Sequence, residues 1–400
     1  MKRAPDKPIV TVTVALTATG LAVARAASPL GQVVGIDADR SRPGQHSRHV
    51  SILRSLSHRP LDRTLALDLV AFARSQPCPV VVVAAADDAC EWLIAERPTL
   101  VPHLRVSAGY TAERAGLLLD KSLFAERCRA LGIDVPRTLQ PTGLAEVRAF
   151  AREVGMPCIV KPRAGHKWRD RLRGQKLLVP LTLAEMERDL ADVVGDPSAM
   201  VLQELVPGPE HHLAVGAVWA DQAGAVRHVL TARKIRQFPR NFGSGSRVVT
   251  EDLPAVRELS ADVVARLDYR GLCGTEFKWD SRSETWRLIE INARPTLWYD
   301  LCRAAGCDLI RAHVQELAGV DPSPVAAQRQ GVAWSYGLRD LVALGQAGGP
   351  LHALRTLAAE GLPATDAVMA WDDGGAVIGS ARHFLGQAAS HVWSRRRRQL

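Results

Sequence analysis

The sequence predicts an α/β and α+β protein of several lobes that opens on a small parallel sheet. Three observations carry this. The 400 residues exceed what one compact domain usually holds. Apolar strands separated by helical stretches fill roughly the first 110 residues, the pattern of a buried parallel sheet. The character then changes: strands, basic loops and one strong hairpin signal follow.

The elements run in order. Residues 9–16 are β-branched and apolar, and 20–27 continue as a helix. Residues 32–36 form a second buried strand ending in Asp37, 61–74 an amphipathic helix, and 80–85 a third strand ending at Asp87 and Asp88. The ligand side of such a sheet lies at the carboxyl ends of its strands, where Asp37 and Asp87 sit. No G-x-G-x-x-G follows the first strand, so a dinucleotide fold has little support. Asp120 caps a helix from Lys121 to about Leu131, stopped by Gly132. Residues 156–161 and 201–206 are strands, the second broken by Pro207-Gly208-Pro209. From 226 to 249 strands alternate with a basic loop, and 274–291 reads as a hairpin.

Composition excludes several classes. With 47% hydrophobic and 23% charged residues the chain is neither disordered nor collagen-like. No apolar run reaches the roughly 18 residues of a membrane helix, so no membrane span is expected. Residues 1–27 imitate a signal peptide, but Thr11, Thr13, Thr17, Thr19 and Arg25 fit a strand entering a helix better. Seven cysteines without Cys-x-x-Cys spacing read as buried thiols in a reducing compartment, and a cytoplasmic location is expected. The net charge of +9 is local. Four arginines, 395–398, end the chain, and residues 163–176 hold six Lys/Arg against Asp170.

The hairpin admits arithmetic, because opposed residues of an antiparallel pair have indices of constant sum. A three-residue loop centred on Ser283 makes the sum 566 and sets Glu276 opposite Glu290. Asn292 then shares the face of Glu290, Arg294 lies just beyond, and Phe277, Ile289 and Ile291 point into a core. Like charges directly opposed are destabilising and invite a cation between them. Two carboxylates and an amide oxygen suit Mg²⁺, which is usually shared with phosphates. A slipped register with a solvated face is the alternative.

With these residues in view, the chain resembles the ATP-grasp superfamily over roughly residues 1–315. The motifs are Asp120-Lys121 leading to Gly-Ile-Asp-Val-Pro-Arg-Thr (132–138), then Met-Pro-Cys-Ile-Val-Lys-Pro (156–162). Val-Leu-Gln-Glu-Leu-Val-Pro-Gly-Pro-Glu (201–210) and Leu-Ile-Glu-Ile-Asn-Ala-Arg-Pro (288–295) follow. Within the superfamily it is most similar to the carboxylate–amine ligase branch of D-aspartate ligase-like proteins and the carbamoyl-phosphate synthase large chain. The resemblance implies a pre-ATP-grasp domain (1–115), an ATP-grasp domain (116–318, lobes 116–200 and 201–318) and a C-terminal extension (319–400) without an interpretable motif.

It further implies ATP and Mg²⁺ as cofactors, with Mn²⁺ able to substitute. Lys121 and Lys161 resemble the lysines that hold ATP phosphates, and Lys161 ends a strand where its ammonium can act as a point charge. Glu204, Leu205 and Val206 resemble the adenine-reading segment, and Glu210 the acid on the ribose. Glu276, Glu290 and Asn292 resemble the metal ligands, and Arg294 the arginine beside the transferred phosphate. The stretch 232–247 sits where relatives contact substrate, so Arg233, Lys234, Arg236 and Arg247 are candidates, with Arg236 expected to be catalytic. The alternative there is a solvated edge strand with cationic gatekeepers. Relatives carry a glycine run after the second lysine. Residues 163–176 hold only two glycines and are expected either to close as a cationic lid or to mark a noncatalytic relative.

The implied activity is an ATP-grasp ligase forming a carbon–nitrogen bond between a small carboxylate and an amine, an amino acid among them. No nucleic acid partner is expected, and a homodimer is. The rivals are an ATP-dependent carboxylase and, from the charge, a basic nucleic-acid-binding protein, which should interleave aromatics in its basic runs.

Overall fold

The computed structural model describes residues 8–168, 172, 176–191 and 195–380. Of the cationic loop expected as a lid, 163–176, residues 169–171 and 173–175 fall outside the described residues. The N-terminal sheet has the order β2-β1-β3-β4, all parallel, from Val10–Val14 (β1), Val33–Ile36 (β2), Val80–Ala84 (β3) and Arg105–Val106 (β4). Every residue of β1, β2 and β3 is buried. This is why these strands read as continuous apolar runs: helices cover both faces of a parallel sheet.

A three-stranded antiparallel sheet follows, order β5-β7-β6, from Thr138–Leu139 (β5), Cys158–Pro162 (β6) and Met200–Glu204 (β7). It has its own core around Phe150, Val160, Met186 and Leu202. The strand expected to open the second lobe at residue 201 therefore belongs to the first, because Lys161 pairs with Val201 and Ile159 with Gln203.

The large sheet has seven strands in the order β12-β11-β8-β9-β10-β13-β14. Its members are Leu213–Ala220 (β8), Val226–Phe238 (β9), Ser244–Thr250 (β10), Gly271–Asp280 (β11), Thr285–Asn292 (β12), Ala333–Ser335 (β13) and Thr365–Asp366 (β14). One core joins Val12 and Val82 of the N-terminal sheet to Val218, Phe277 and Ile291 of this one. A second joins Val81 and Leu21 to Val215 and Trp334. The two sheets are thus fixed on each other by shared apolar burial.

Residues 319–400, expected as a C-terminal extension, are in their described part built into this body. β13 pairs with β10, and β14 with β13. A helix over Gly337–Glu360, broken at Gly348 and Gly349, follows β13. Its Asp340 accepts hydrogen bonds from Arg236 Nε (3.0 Å), Arg236 Nη2 (2.8 Å) and Ser246 Oγ (2.8 Å), and Glu360 takes Arg236 and Arg247. Farther on, Asp373 accepts from Arg25, Ser47 Oγ and the Arg48 amide, which ties the chain back to the N-terminal domain. No helix of the described residues is long and apolar enough to cross a membrane. All seven cysteines are free thiols.

Asp340 is 2% exposed, and removing it would take one of its two carboxylate partners from the largely buried Arg236 guanidinium and leave Ser246 Oγ without its acceptor. Asp340→Ala should cost about 3 kcal/mol of unfolding free energy, the scale for breaking one partner out of a buried ion pair. The measurement is the urea midpoint at unchanged m-value. A loss no larger than that of an exposed surface pair would show that the helix is not anchored this way.

Candidate active site

The hairpin delivers the predicted opposition by a different route. Asp280 pairs with Thr285, so the turn holds four residues, 281–284, and near it opposed indices sum to 565. A bulge after the Glu276–Glu290 pair, opposite Phe277, resets the register. Leu288 pairs with Phe277, Ile289 is the extra residue, and beyond it Glu276 faces Glu290 and Gly274 faces Asn292. Ile289 therefore does not enter the core as expected. It lines the cleft, and Leu288, 1% exposed, takes its place beside Phe277. Without the bulge Glu276 would face an isoleucine.

The opposed carboxylates sit in the wall of a cavity of about 1380 Å³ between the small lobe, the large sheet and the N-terminal domain. Glu276 Oε2 accepts from Lys234 Nζ at 2.7 Å, and Asn292 Nδ2 donates to Glu290 at 3.2 Å. Burial would raise the Glu290 carboxyl, but the ammonium groups of Lys176, Lys121, Lys161 and Lys234 outweigh it and hold the group below the usual carboxylate range. Cations from four separate segments thus converge on one acid.

Lys161, 7% exposed on β6, donates to Gln203 Oε1 at 2.9 Å. Gln203 Nε2 in turn donates to Thr138 Oγ1 at 3.0 Å, so a short relay across the small sheet fixes the lysine. Burial lowers the Lys161 ammonium from its ordinary 10.5 to about 8, and Lys121 adds to this while Glu290 and Glu276 offset part of it. Lys121 opens the helix Lys121–Ala130, whose cap Asp120 accepts from the Ser122 and Leu123 amides and pairs with Arg163.

Residues 203–210 line the same cavity, so the structure brings Glu204, Leu205, Val206 and Glu210 together with the lysines and the hairpin. The Glu204 carboxylate, however, is engaged within the protein. It accepts from Arg282 (2.7 Å), Arg287 (3.0 Å) and the Arg137 amide (3.2 Å). Burial would raise it, and these partners hold it below the carboxylate range instead. Glu210 accepts from the Asn241 amide at 2.9 Å and lies in a 3₁₀ turn, Glu210–His212, rather than in a strand. Arg294 reaches the cavity with its Nε donating to Asp87 at 2.7 Å.

Arg236 is a correction. It faces away from the cleft into the pairs with Asp340 and Glu360: plain alternation would put it on the face of Lys234, but the pairing of β9 with β10 is irregular between the two residues, and Lys234 and Gln237 line the cleft instead. Arg233 is bound by Glu251 and Arg247 by Glu360, so of the four basic candidates the cleft receives Lys234 alone. Sequence reasoning missed Gln203 as the residue that fixes Lys161. The signal was period two: Gln203 is polar in an otherwise apolar strand start.

Among the described residues no group of three His, Cys, Asp or Glu side chains is arranged to hold a metal. Glu276 and Glu290 need the amide oxygen of Asn292 to complete a set. Hard oxygen donors of this kind fit Mg²⁺.

No family model matches the chain. A D-aspartate ligase of Enterococcus faecium (strain Aus0004) is 23% identical over 188 residues, and the match spans 44% of each chain. Among solved structures, N5-carboxyaminoimidazole synthetase from Staphylococcus aureus complexed with ADP superposes with a TM-score of 0.63 at 15% identity, covering 83% of this chain and 82% of that one. The biotin carboxylase domain of Hydrogenobacter thermophilus 2-oxoglutarate carboxylase, in complex with MgADP, ADP and bicarbonate, gives 0.60 at 17% identity, covering 81% and 73%. The chain has the ATP-grasp fold, as its motifs implied.

Lys161 yields a pH test. Its folded value lies below the ordinary 10.5, so the charged form is disfavoured by folding and the empty protein should gain stability as pH rises from about 8 towards 10.5. If Lys161 holds a phosphate, as its motif implies, binding needs the charged form and nucleotide affinity should fall across the same interval. In Lys161→Arg the affinity should stay flat, since a guanidinium remains charged. A fall of equal steepness in that variant would mean that another group titrates.

Proposed function

We propose that the protein is an ATP-dependent carboxylate–amine ligase. One observation carries this reading: opposed carboxylates, an amide oxygen, Lys121, Lys161, Lys234 and Arg294 share one cleft with the segment 203–210. Such a wall suits a triphosphate, and the partial sequence similarity to a D-aspartate ligase supports amide formation as the outcome.

In the proposed reaction Lys121 and Lys161 hold the phosphates, and the backbone of Glu204, Leu205 and Val206 faces the base. Glu204 serves here through its backbone, because its carboxylate is occupied by Arg282 and Arg287. Glu210 takes the ribose. Glu276, Glu290 and Asn292 would hold Mg²⁺, which supplies positive charge to the phosphate oxygens. A substrate carboxylate oxygen attacks the γ-phosphorus, the bond to the β-phosphate oxygen breaks, and ADP leaves. Arg294 offsets charge on the transferred group. The amine nitrogen then attacks the acyl carbon, phosphate departs, and the nitrogen loses a proton. Phosphorylation matters because a carboxylate is a poor acyl donor until one oxygen becomes a leaving group.

A second reading has bicarbonate in place of the carboxylate. The fold neighbours named for carboxyaminoimidazole synthesis and biotin carboxylation favour it. It predicts ADP release that depends on bicarbonate and not on any organic acid. A nucleic-acid role is disfavoured because Arg233, Arg236 and Arg247 are already neutralised by Glu251, Asp340 and Glu360.

Glu290→Ala and Glu276→Gln should each lower turnover with Mg-ATP by about two orders of magnitude or more while leaving the fold intact, as expected when one charge-stabilising ligand is lost. Steady-state ADP release with circular dichroism as the folding control checks this. Wild-type turnover in either variant would place the reaction elsewhere.

A further inference from the structure

Two of the free thiols, Cys302 and Cys307, meet at the end of the short helix Asp300–Ala304. Between them run Arg303, Ala304, Ala305 and Gly306, and Gly306 takes the left-handed conformation at φ 93°. The Gly306 amide donates to the Arg303 carbonyl at 3.1 Å, and the Cys307 amide to the Cys302 carbonyl at 2.9 Å. This pair of hydrogen bonds is a Schellman stop, a turn that sets the side chains of its first and last residues against each other. A direct bond between the two backbones also keeps their Cα atoms within the roughly 7 Å that a disulfide can span. The Cys302 thiol donates to the Cys307 sulfur, and His228 of β9 reaches the same sulfur.

Two features distinguish this turn from an ordinary apolar helix stop. The hydrogen bond from Cys302, with His228 behind it, favours the Cys307 thiolate and holds that group below its ordinary range although burial opposes them. Burial pushes Cys302 well above its own range. One thiol ready to ionise beside one that stays protonated is the arrangement of an attacking and a resolving cysteine. The pair also lies just under the surface. Both sulfur residues are buried, but Gly306 is exposed, and Asp308 and His228 are half-buried, so a small uncharged oxidant has only the turn itself to pass.

We infer that Cys302 and Cys307 are a redox-active dithiol that a peroxide closes to a disulfide, with Cys307 attacking and Cys302 resolving. The Cys307 sulfur attacks one oxygen of the peroxide and the O–O bond breaks. The other oxygen leaves as hydroxide and takes up the proton that Cys307 had lost, giving water and a sulfenic acid. The Cys302 sulfur then attacks the Cys307 sulfur, the S–O bond breaks, and the hydroxide leaves with the Cys302 proton as a second water. Two thiols are oxidised by two electrons to one disulfide, and one hydrogen peroxide is reduced to two waters. Neither thiol lines the cleft, so the inference is independent of the ligase reading.

The test treats the reduced full chain with hydrogen peroxide, blocks the remaining thiols with N-ethylmaleimide and digests with trypsin without reduction. Arg294 precedes a proline and resists trypsin, so cleavage after Arg287, Arg303 and Arg311 puts the two cysteines in separate peptides, 288–303 and 304–311. The expected result is these two peptides joined, two hydrogens lighter than their sum and released by dithiothreitol, from protein that runs as a monomer on a non-reducing gel. A second arm adds dimedone, which traps sulfenic acids, to Cys302→Ser and Cys307→Ser, with circular dichroism as the folding control. Peptide 304–311 of Cys302→Ser should be labelled at least about tenfold faster than peptide 288–303 of Cys307→Ser, as a thiolate outpaces a thiol. The wild-type arm needs no substitution and decides the matter if a variant misfolds. Both peptides recovered separately alkylated, while the half-buried Cys78 is oxidised, would overturn the inference. So would a joined pair confined to covalent dimers, or equal labelling of the two variants.

Discussion

Two carboxylates opposed across neighbouring strands are the constraint around which this protein is built. Glu276 and Glu290 repel each other when charged, and a hairpin carrying them is stable only if cations come close. The structure brings Lys161 from β6, Lys121 from a helix start, Lys176 from the far side of the cationic loop and Lys234 from β9. Each cation comes from a different element, so the site exists only when the small lobe and the large sheet face each other. In the proposed reaction the same excess of lysines that stabilises the acids would hold the nucleotide phosphates.

The bulge at Ile289 shows how finely that opposition is set. Sequence alternation placed Glu276 opposite Glu290, yet the turn is one residue longer than the three supposed, which by itself would have slipped the register. The extra residue on β12 compensates, and it moves an isoleucine from the core into the cleft wall. Index arithmetic cannot see a bulge, because two compensating irregularities leave the same sum. The lysines and the 203–210 segment were legible for another reason: each is fixed by local order along the chain, a helix cap at Asp120 or a strand end at Lys161.

What was not legible depends on contacts between distant segments. Arg236 has the residue type and position of a substrate-binding cation, but its partner Asp340 lies 104 residues on, in a stretch that carried no readable motif. The Glu204 carboxylate looked free until Arg282 and Arg287 of the hairpin were seen to reach it across the lobe boundary. The C-terminal segment itself was unreadable because β13 and β14 have three and two residues, too short to show a period. It nonetheless extends the large sheet, holds Arg25, Arg236 and Arg247, and lines the cleft with Tyr336 and Arg339.

The central claim is that this cleft turns a carboxylate into an acyl phosphate. The most direct measurement supplies carboxyl-¹⁸O-labelled amino acids with Mg-ATP and an amine acceptor, and follows the label by mass spectrometry of the released phosphate. One labelled oxygen in inorganic phosphate for each amide formed is the result predicted. Phosphate released without label, with the label retained in the organic product, would contradict it.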